Sequence, residues 1–185
     1  MGGQDPLFSY LSIEVSMLGG KYKEAIDQIN SAGFNVFEFQ YWFVPKEILL
    51  AQIAGYRGKF LEARSQYEAA RKILEREVGL HPGDARMRSS LGIAYAGLGR
   101  KEDAIREGRR AVDLLPIAKE AMVVPLRMQD LAQIYLMVGD KKAALDEVEK
   151  LLSIPSYLSV PYLRIDPLWR PLAKDARFQK LIAEN

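Results

Sequence analysis

Side chains able to do covalent or metal chemistry are scarce in this chain. His81 is the single histidine, and there is no cysteine. One imidazole without a second histidine or a thiolate cannot anchor a usual zinc site. His81 precedes Pro82 in Leu80-His81-Pro82-Gly83-Asp84, a run with the composition of a loop. The run from Gly97 to Ala104, GLGRKEDA, has the look of a phosphate loop. It lacks the preceding strand and the G-x-x-x-x-G-K-[ST] spacing, so its glycines read as a turn between helices. Carboxylates are plentiful but alternate with lysine and arginine. Asp146 to Lys150, DEVEK, reads as a solvated helix face with an i,i+4 pair. Arg106, Arg109 and Arg110 form a short basic run that Asp103, Glu107 and Asp113 dilute. What remains is the chemistry of recognition: amides, scattered charges and apolar surface. No enzymatic activity, cofactor or metal is expected.

Composition bounds the partners in the same direction. A net charge of +2 on 185 residues is too small to argue for nucleic acid or an anionic membrane. The share of hydrophobic residues, 49%, is ordinary for a soluble chain. The lack of cysteine excludes disulfides and fits a reducing compartment. The longest apolar runs fall far short of a membrane span. Met1 to Pro6 has no basic region followed by an apolar one, so no signal peptide is expected, and a cytoplasmic location is.

The elements that must position any binding residues are helices. In Ala85 to Ala118, Met87, Leu91, Tyr95 and Leu98 recur at helical spacing, and Ile105, Ala111, Val112 and Leu115 make a second stripe. Gly99 lies between the stripes, where a left-handed residue ends a helix without a Cβ penalty. Gly92 and Ala104 are small enough to let two helix backbones approach closely. Gly108 leaves space for a neighbouring side chain, and Pro116 marks the end of the second helix. Lys101, Glu102, Asp103, Arg106, Glu107, Arg109 and Arg110 are placed on the outer face, with Glu102 and Arg106 as an i,i+4 pair.

Leu91, Gly92, Tyr95, Gly99, Ala104, Ala111 and Pro116 fall at the spacings of a tetratricopeptide repeat, a helix pair of about 34 residues. The stretch resembles that family. Leu50, Ala51, Gly58, Phe60, Ala63, Tyr67 and Ala70 match in 44–78, and Leu131, Ala132, Tyr135, Gly139, Ala144 and Leu151 match in 125–155. In 6–33 only Gly20, Tyr22, Ala25, Ile29 and Ala32 match, which makes it a degenerate first repeat. The second helix of 44–78 is expected to run to Val78 and stop at Gly79, and Asp84 to cap the next. Repeat starts at 44, 85 and 125 lie about 40 residues apart, longer than the standard unit. The tail, 156–185, is rich in proline. Asp166-Pro167 opens a short helix, Asp175 caps a last one, and Trp169, Leu172, Phe178 and Leu181 cover the open end of the array. The expected fold is therefore all-α. It is one domain over 1–185, a right-handed superhelical array of helix hairpins with a C-terminal helical cap.

The resemblance implies a protein–protein interaction scaffold whose first helices line a concave groove. Carried over repeat by repeat, the groove positions are Ile48, Gln52 and Tyr56, then Arg86, Ser89 and Ile93 with Ala96 beside them, then Gln129, Asp130, Gln133 and Met137. Family members that hold a peptide carboxylate do so with Lys and Asn. Here Ile48, Ser89 and Gln129 stand where the Lys would, and Gln52, Ile93 and Gln133 where the Asn would, so that clamp is missing. The tail and the repeat before it resemble the C-terminal ends of bacterial multidomain regulatory proteins, which implies a piece of a larger regulator. The alternative is a sensor segment that binds a small ligand or gates an attached catalytic domain. Gly33 to Pro45 holds Phe34, Phe37, Phe39, Tyr41, Trp42 and Phe43. Its partial alternation fits an extended segment, and Pro45 biases Val44 away from helix. These aromatics either pack under the first hairpins or form an exposed patch for a partner or a second copy of the chain.

Overall fold

The computed structural model describes residues 5–115 and 123–183. Helices come in pairs: α1 (Pro6–Leu18) with α2 (Tyr22–Ser31), α3 (Lys46–Tyr56) with α4 (Phe60–Leu80), α5 (Ala85–Gly97) with α6 (Lys101–Asp113), and α7 (Val124–Met137) with α8 (Lys141–Leu152). The turns inside the pairs are built alike. Gly20, Gly58, Gly99 and Gly139 all have positive φ, 70°, 72°, 77° and 83°. After each glycine the next N–H reaches back to close the preceding helix: Lys21 to Ser16 O, Lys59 to Ala54 O, Arg100 to Tyr95 O and Asp140 to Tyr135 O, at 2.8–2.9 Å. This closure satisfies carbonyls the helix end leaves open, and glycine takes the required conformation without strain.

Successive pairs stack. Helix α3 touches α5, α5 touches α7, α4 packs on α5 and α6 on α7. The small residues are where the stacking is tightest. A Cβ built on Gly92 or on Gly108 would stand 2.7 Å from Ile134 Cδ1, and at Gly108 also 3.0 Å from Leu131 Cδ1. The space at Gly108 is thus filled from α7. Asp84 caps α5, accepting from the N–H groups of Arg86 and Met87.

An all-α architecture needs amending. Val36–Phe39 (β1) and Trp42–Pro45 (β2) form an antiparallel hairpin in which Phe37 faces Val44 and Phe39 faces Trp42. Aromatic and β-branched side chains suit a pleated surface, and the following proline keeps Val44 extended. Phe37 and Phe43 are core, and Phe34 and Trp42 pack against it half-buried. Tyr10 of α1 packs against Phe37, Phe39 and Trp42 with ring centroids 5.7–6.2 Å apart, and Phe37 is fully buried. None of the large exposed apolar residues belongs to this stretch, although Phe34, Phe39, Tyr41 and Trp42 remain half-buried. The hairpin is tied to the helices through its carbonyls. Arg86 Nη1 donates to Phe39 O at 2.7 Å, Ser90 Oγ to Phe43 O at 2.6 Å and Arg127 Nη2 to Tyr41 O at 2.9 Å.

Two further expectations shift. Helix α4 passes through Gly79 to Leu80, because the chain turns only at His81 to Gly83. Arg106 does not pair with Glu102. It bridges Asp103 at 2.7 Å and Glu107 at 3.3 Å. Glu107, expected on the solvated face, is 9% exposed and held by Arg88 Nη1 at 2.5 Å. Pro116, Ile117 and Ala118 lie outside the described residues.

The tail folds back as α9 (Val160–Ile165), a 3-10 helix (Pro167–Leu172) and α10 (Ala176–Ala183). Helix α9, with Pro161 in its first turn, is an element the sequence reading missed. Asp166 caps the 3-10 helix through Leu168 N, and Asp175 caps α10 through Arg177 N and Phe178 N. Trp169, Leu172 and Phe178 share a core with Leu131, Tyr135, Leu145, Val148 and Leu151 of the last helix pair. Among the described residues no helix is long and apolar enough to cross a membrane.

Candidate functional site

Helices α3, α5 and α7 present one wall of a chamber of about 490 Å³. Tyr10 and Glu14 of α1, Trp42 and Val44 of β2, and Tyr162, Asp166 and Pro167 of the tail supply the rest of its lining. Leu11 and Val15 of α1 and Tyr157 before α9 also border it while remaining 44%, 69% and 57% exposed, so the chamber opens beside an apolar rim.

Its polar groups come from helices that are otherwise apolar there. Glu14 is the only charged residue of α1, and Arg127 and Asp130 are the only ones of α7. Arg127 is 1% exposed. Its Nη2 is spent on Tyr41 O, and its Nε stands 3.3 Å from Asp130 Oδ2 without hydrogen-bond geometry. Neither Glu14 nor Asp166 forms an ion pair with a described residue.

Burial governs the ionisation of this chamber. It pushes the Glu14 carboxyl up to about 7, the Asp166 charge adds to the rise, and the Tyr10 hydroxyl opposes it. Burial also raises Asp130 against the opposing pull of Arg127 and Ser89. Asp130 keeps a fifth of its side-chain surface accessible, but that surface meets an enclosed space, so desolvation outweighs pairing. Asp166 is raised by burial in spite of its backbone hydrogen bond from Leu168, the Tyr162 hydroxyl and the charge of Arg170. Tyr10, Tyr56 and Tyr162 are all held above the ordinary phenol range, first by burial and then by the neighbouring carboxylates.

Seven of the ten expected groove positions meet in this chamber: Ile48, Gln52 and Tyr56 from α3, Ile93 from α5, and Gln129, Asp130 and Gln133 from α7. Three do not. Arg86 is drawn aside by Asp84, Glu38 and Phe39 O. Ser89 is buried behind the wall, with its Oγ outside hydrogen-bond geometry. Met137 accepts a weak hydrogen bond from Gln133 Nε2 at 3.7 Å.

Helices α3 to α6 carry two of the repeated hairpins, and the family match falls on them. Residues 46–116 match the tetratricopeptide repeat family model. The matched residues therefore span the wall formed by α3 and α5, while α1, α7 and the tail, which supply Glu14, Asp130 and Asp166, lie outside them. No curated protein and no solved structure matches the chain.

Sequence reasoning missed Tyr10, Glu14, Arg127, Tyr162 and Asp166. One signal was available. An isolated acid in the apolar run from Pro6 to Leu18 is costly to bury without a reason.

Proposed function

We propose that this chain is a protein-interaction module that receives a short peptide segment in the chamber walled by α3, α5 and α7. Tetratricopeptide repeats as a class are interaction modules, and the matched segment supplies two of those three helices. The observation that carries the reading is the convergence of Gln52, Gln129 and Gln133 on one chamber. Amides there can donate to and accept from an extended peptide backbone. The recurring turn geometry and the packing of Trp169 and Leu172 on the last helix pair support a right-handed superhelical array capped by 156–185. We place the chain as part of a larger bacterial regulatory protein, on the resemblance of its last repeat and tail.

The test uses peptides selected from a random display library against the intact chain. Gln52→Ala combined with Gln133→Ala should weaken the selected peptides by roughly 30-fold, from two hydrogen bonds of about 1 kcal/mol each, with an unchanged melting temperature. Unchanged affinity would remove the chamber as the binding site. The closure of the groove by α1 and the tail favours a second reading, a sensor segment for a small ligand. A ligand retained through purification and seen by native mass spectrometry would decide for it.

A further inference from the structure

Two of the chamber's three carboxyl groups are held by tyrosine hydroxyls, Glu14 by Tyr10 and Asp166 by Tyr162, and not by a direct ion pair. Asp130 has Arg127 beside it, whereas Glu14 and Asp166 have no ion-pair partner among the described residues. A second observation points the same way. Gln133 is 9% exposed and lines the chamber; its Nε2 is engaged with Met137, and its Oε1 accepts no hydrogen bond from any described residue. That oxygen keeps solvent access at the chamber, so it is free to accept from an N–H or O–H group of a ligand.

The remaining lining narrows that donor. Tyr10, Trp42, Tyr56 and Tyr162 bring aromatic faces to the same space, and such faces attract an organic cation. Among the described residues no three acidic or histidine side chains are placed to hold a metal ion. The rim of Leu11, Val15 and Tyr157 suits an aliphatic stem passing from solvent to the chamber. We propose that the chamber takes an alkylammonium group, held by Glu14, Asp166 and the Gln133 carbonyl against the aromatic faces. The inference rests on the chamber being the binding site. Its ligand is either a lysine side chain of a partner segment or a free aliphatic amine, and the two share this chemistry. The raised carboxyls of Glu14 and Asp166 agree with it: burial outweighs the Tyr10 hydroxyl at Glu14 and the Tyr162 hydroxyl and Arg170 at Asp166, and an entering cation would oppose that desolvation.

The test titrates the intact chain with 1,5-diaminopentane, with Nα-acetyl-lysine N-methylamide and with its neutral isostere, Nα-acetyl-norleucine N-methylamide. The readout is the two indole N–H signals in the NMR spectrum. Trp42 lines the chamber, while Trp169 sits in the other core and serves as the internal reference. A saturable shift of Trp42 alone is expected with an ammonium probe and not with the norleucine compound. Response to the lysine compound only assigns the group to a protein partner, and response to the diamine only assigns it to a small metabolite. Glu14→Gln should weaken the responding probe by about tenfold, equivalent to ~1.4 kcal/mol. No shift with either ammonium probe, equal response to norleucine, or undiminished binding by Glu14→Gln overturns the inference. Loss of the amine response with the glutamine pair still governing peptide affinity leaves the peptide reading standing. The reverse outcome removes the peptide reading and keeps the ammonium site.

Discussion

Glu14→Gln tests whether the chamber excludes bulk water. The amide keeps the shape of the side chain and removes its titration. In the native chain the carboxyl is pushed up to about 7 from 4.5, and at ~1.36 kcal/mol per pKa unit the full linkage is about 3 kcal/mol. Below about pH 4 the residue is protonated in both native and unfolded chains, and this stabilisation is wholly present. As pH rises through 4.5 the unfolded chain ionises while the native chain keeps its proton, so stability falls. Above about pH 7 both are ionised and the loss is complete. Between pH 5 and pH 8 the wild type should therefore lose about 2.5 kcal/mol that Glu14→Gln does not lose. Asp130, Asp166, Arg127 and the tyrosines 10, 56 and 162 face the same chamber, so the quantity to measure is the variant-minus-wild-type difference in urea unfolding free energy at several pH values. Most contributions from those neighbours cancel in that difference. The variant should be the more stable protein at pH 8 and gain little at pH 5. A difference that stays constant from pH 5 to pH 8 would show that Glu14 titrates like an exposed acid and would refute its burial in the chamber wall.

Two further perturbations probe the frame. Gly108→Ala pushes a methyl to 2.7 Å from Ile134 Cδ1 and 3.0 Å from Leu131 Cδ1; overpacking of this kind should cost about 1–3 kcal/mol, read as a lower urea midpoint with the slope unchanged. Arg127→Met leaves Asp130 unpaired at the chamber wall and frees Tyr41 O. A loss of about 3–5 kcal/mol is expected, with part of it restored by adding Asp130→Leu, and no recovery in the double variant would mean that the carbonyl bond to Tyr41 carries the effect.

The helix pairs were legible because their signals are local. The stripe of Leu91 and Tyr95 and the turn glycine Gly99 set a hairpin within one repeat. The close approach at Gly92 and Gly108 was legible as small residues at contact positions, although the residue that fills the space, Ile134, lies 26 or more positions away. The groove positions on α3 and α7 were legible for the same reason, since helix periodicity says which residues face one way. Arg86 was expected in the groove and is drawn out of it by Glu38 and Phe39 O, which belong to the β-hairpin. Glu107 was misread as solvated because Arg88, its partner, stands on the preceding helix.

From the amino-acid sequence alone follow the helix pairs, their turns, the caps at Asp84, Asp166 and Asp175, and the absence of cysteine. Those depend on residues a few positions apart, where backbone geometry leaves little choice. Only the tertiary structure brings α1 and the tail over the face shared by α3, α5 and α7, and so sets Glu14 near Asp166 across some 150 residues of chain. The meeting is made by side-chain packing and carbonyl capture at long range, for which no local periodicity exists. It turns the groove positions into one side of a chamber that opens beside Leu11, Val15 and Tyr157 and holds two carboxyl groups without a direct ion pair.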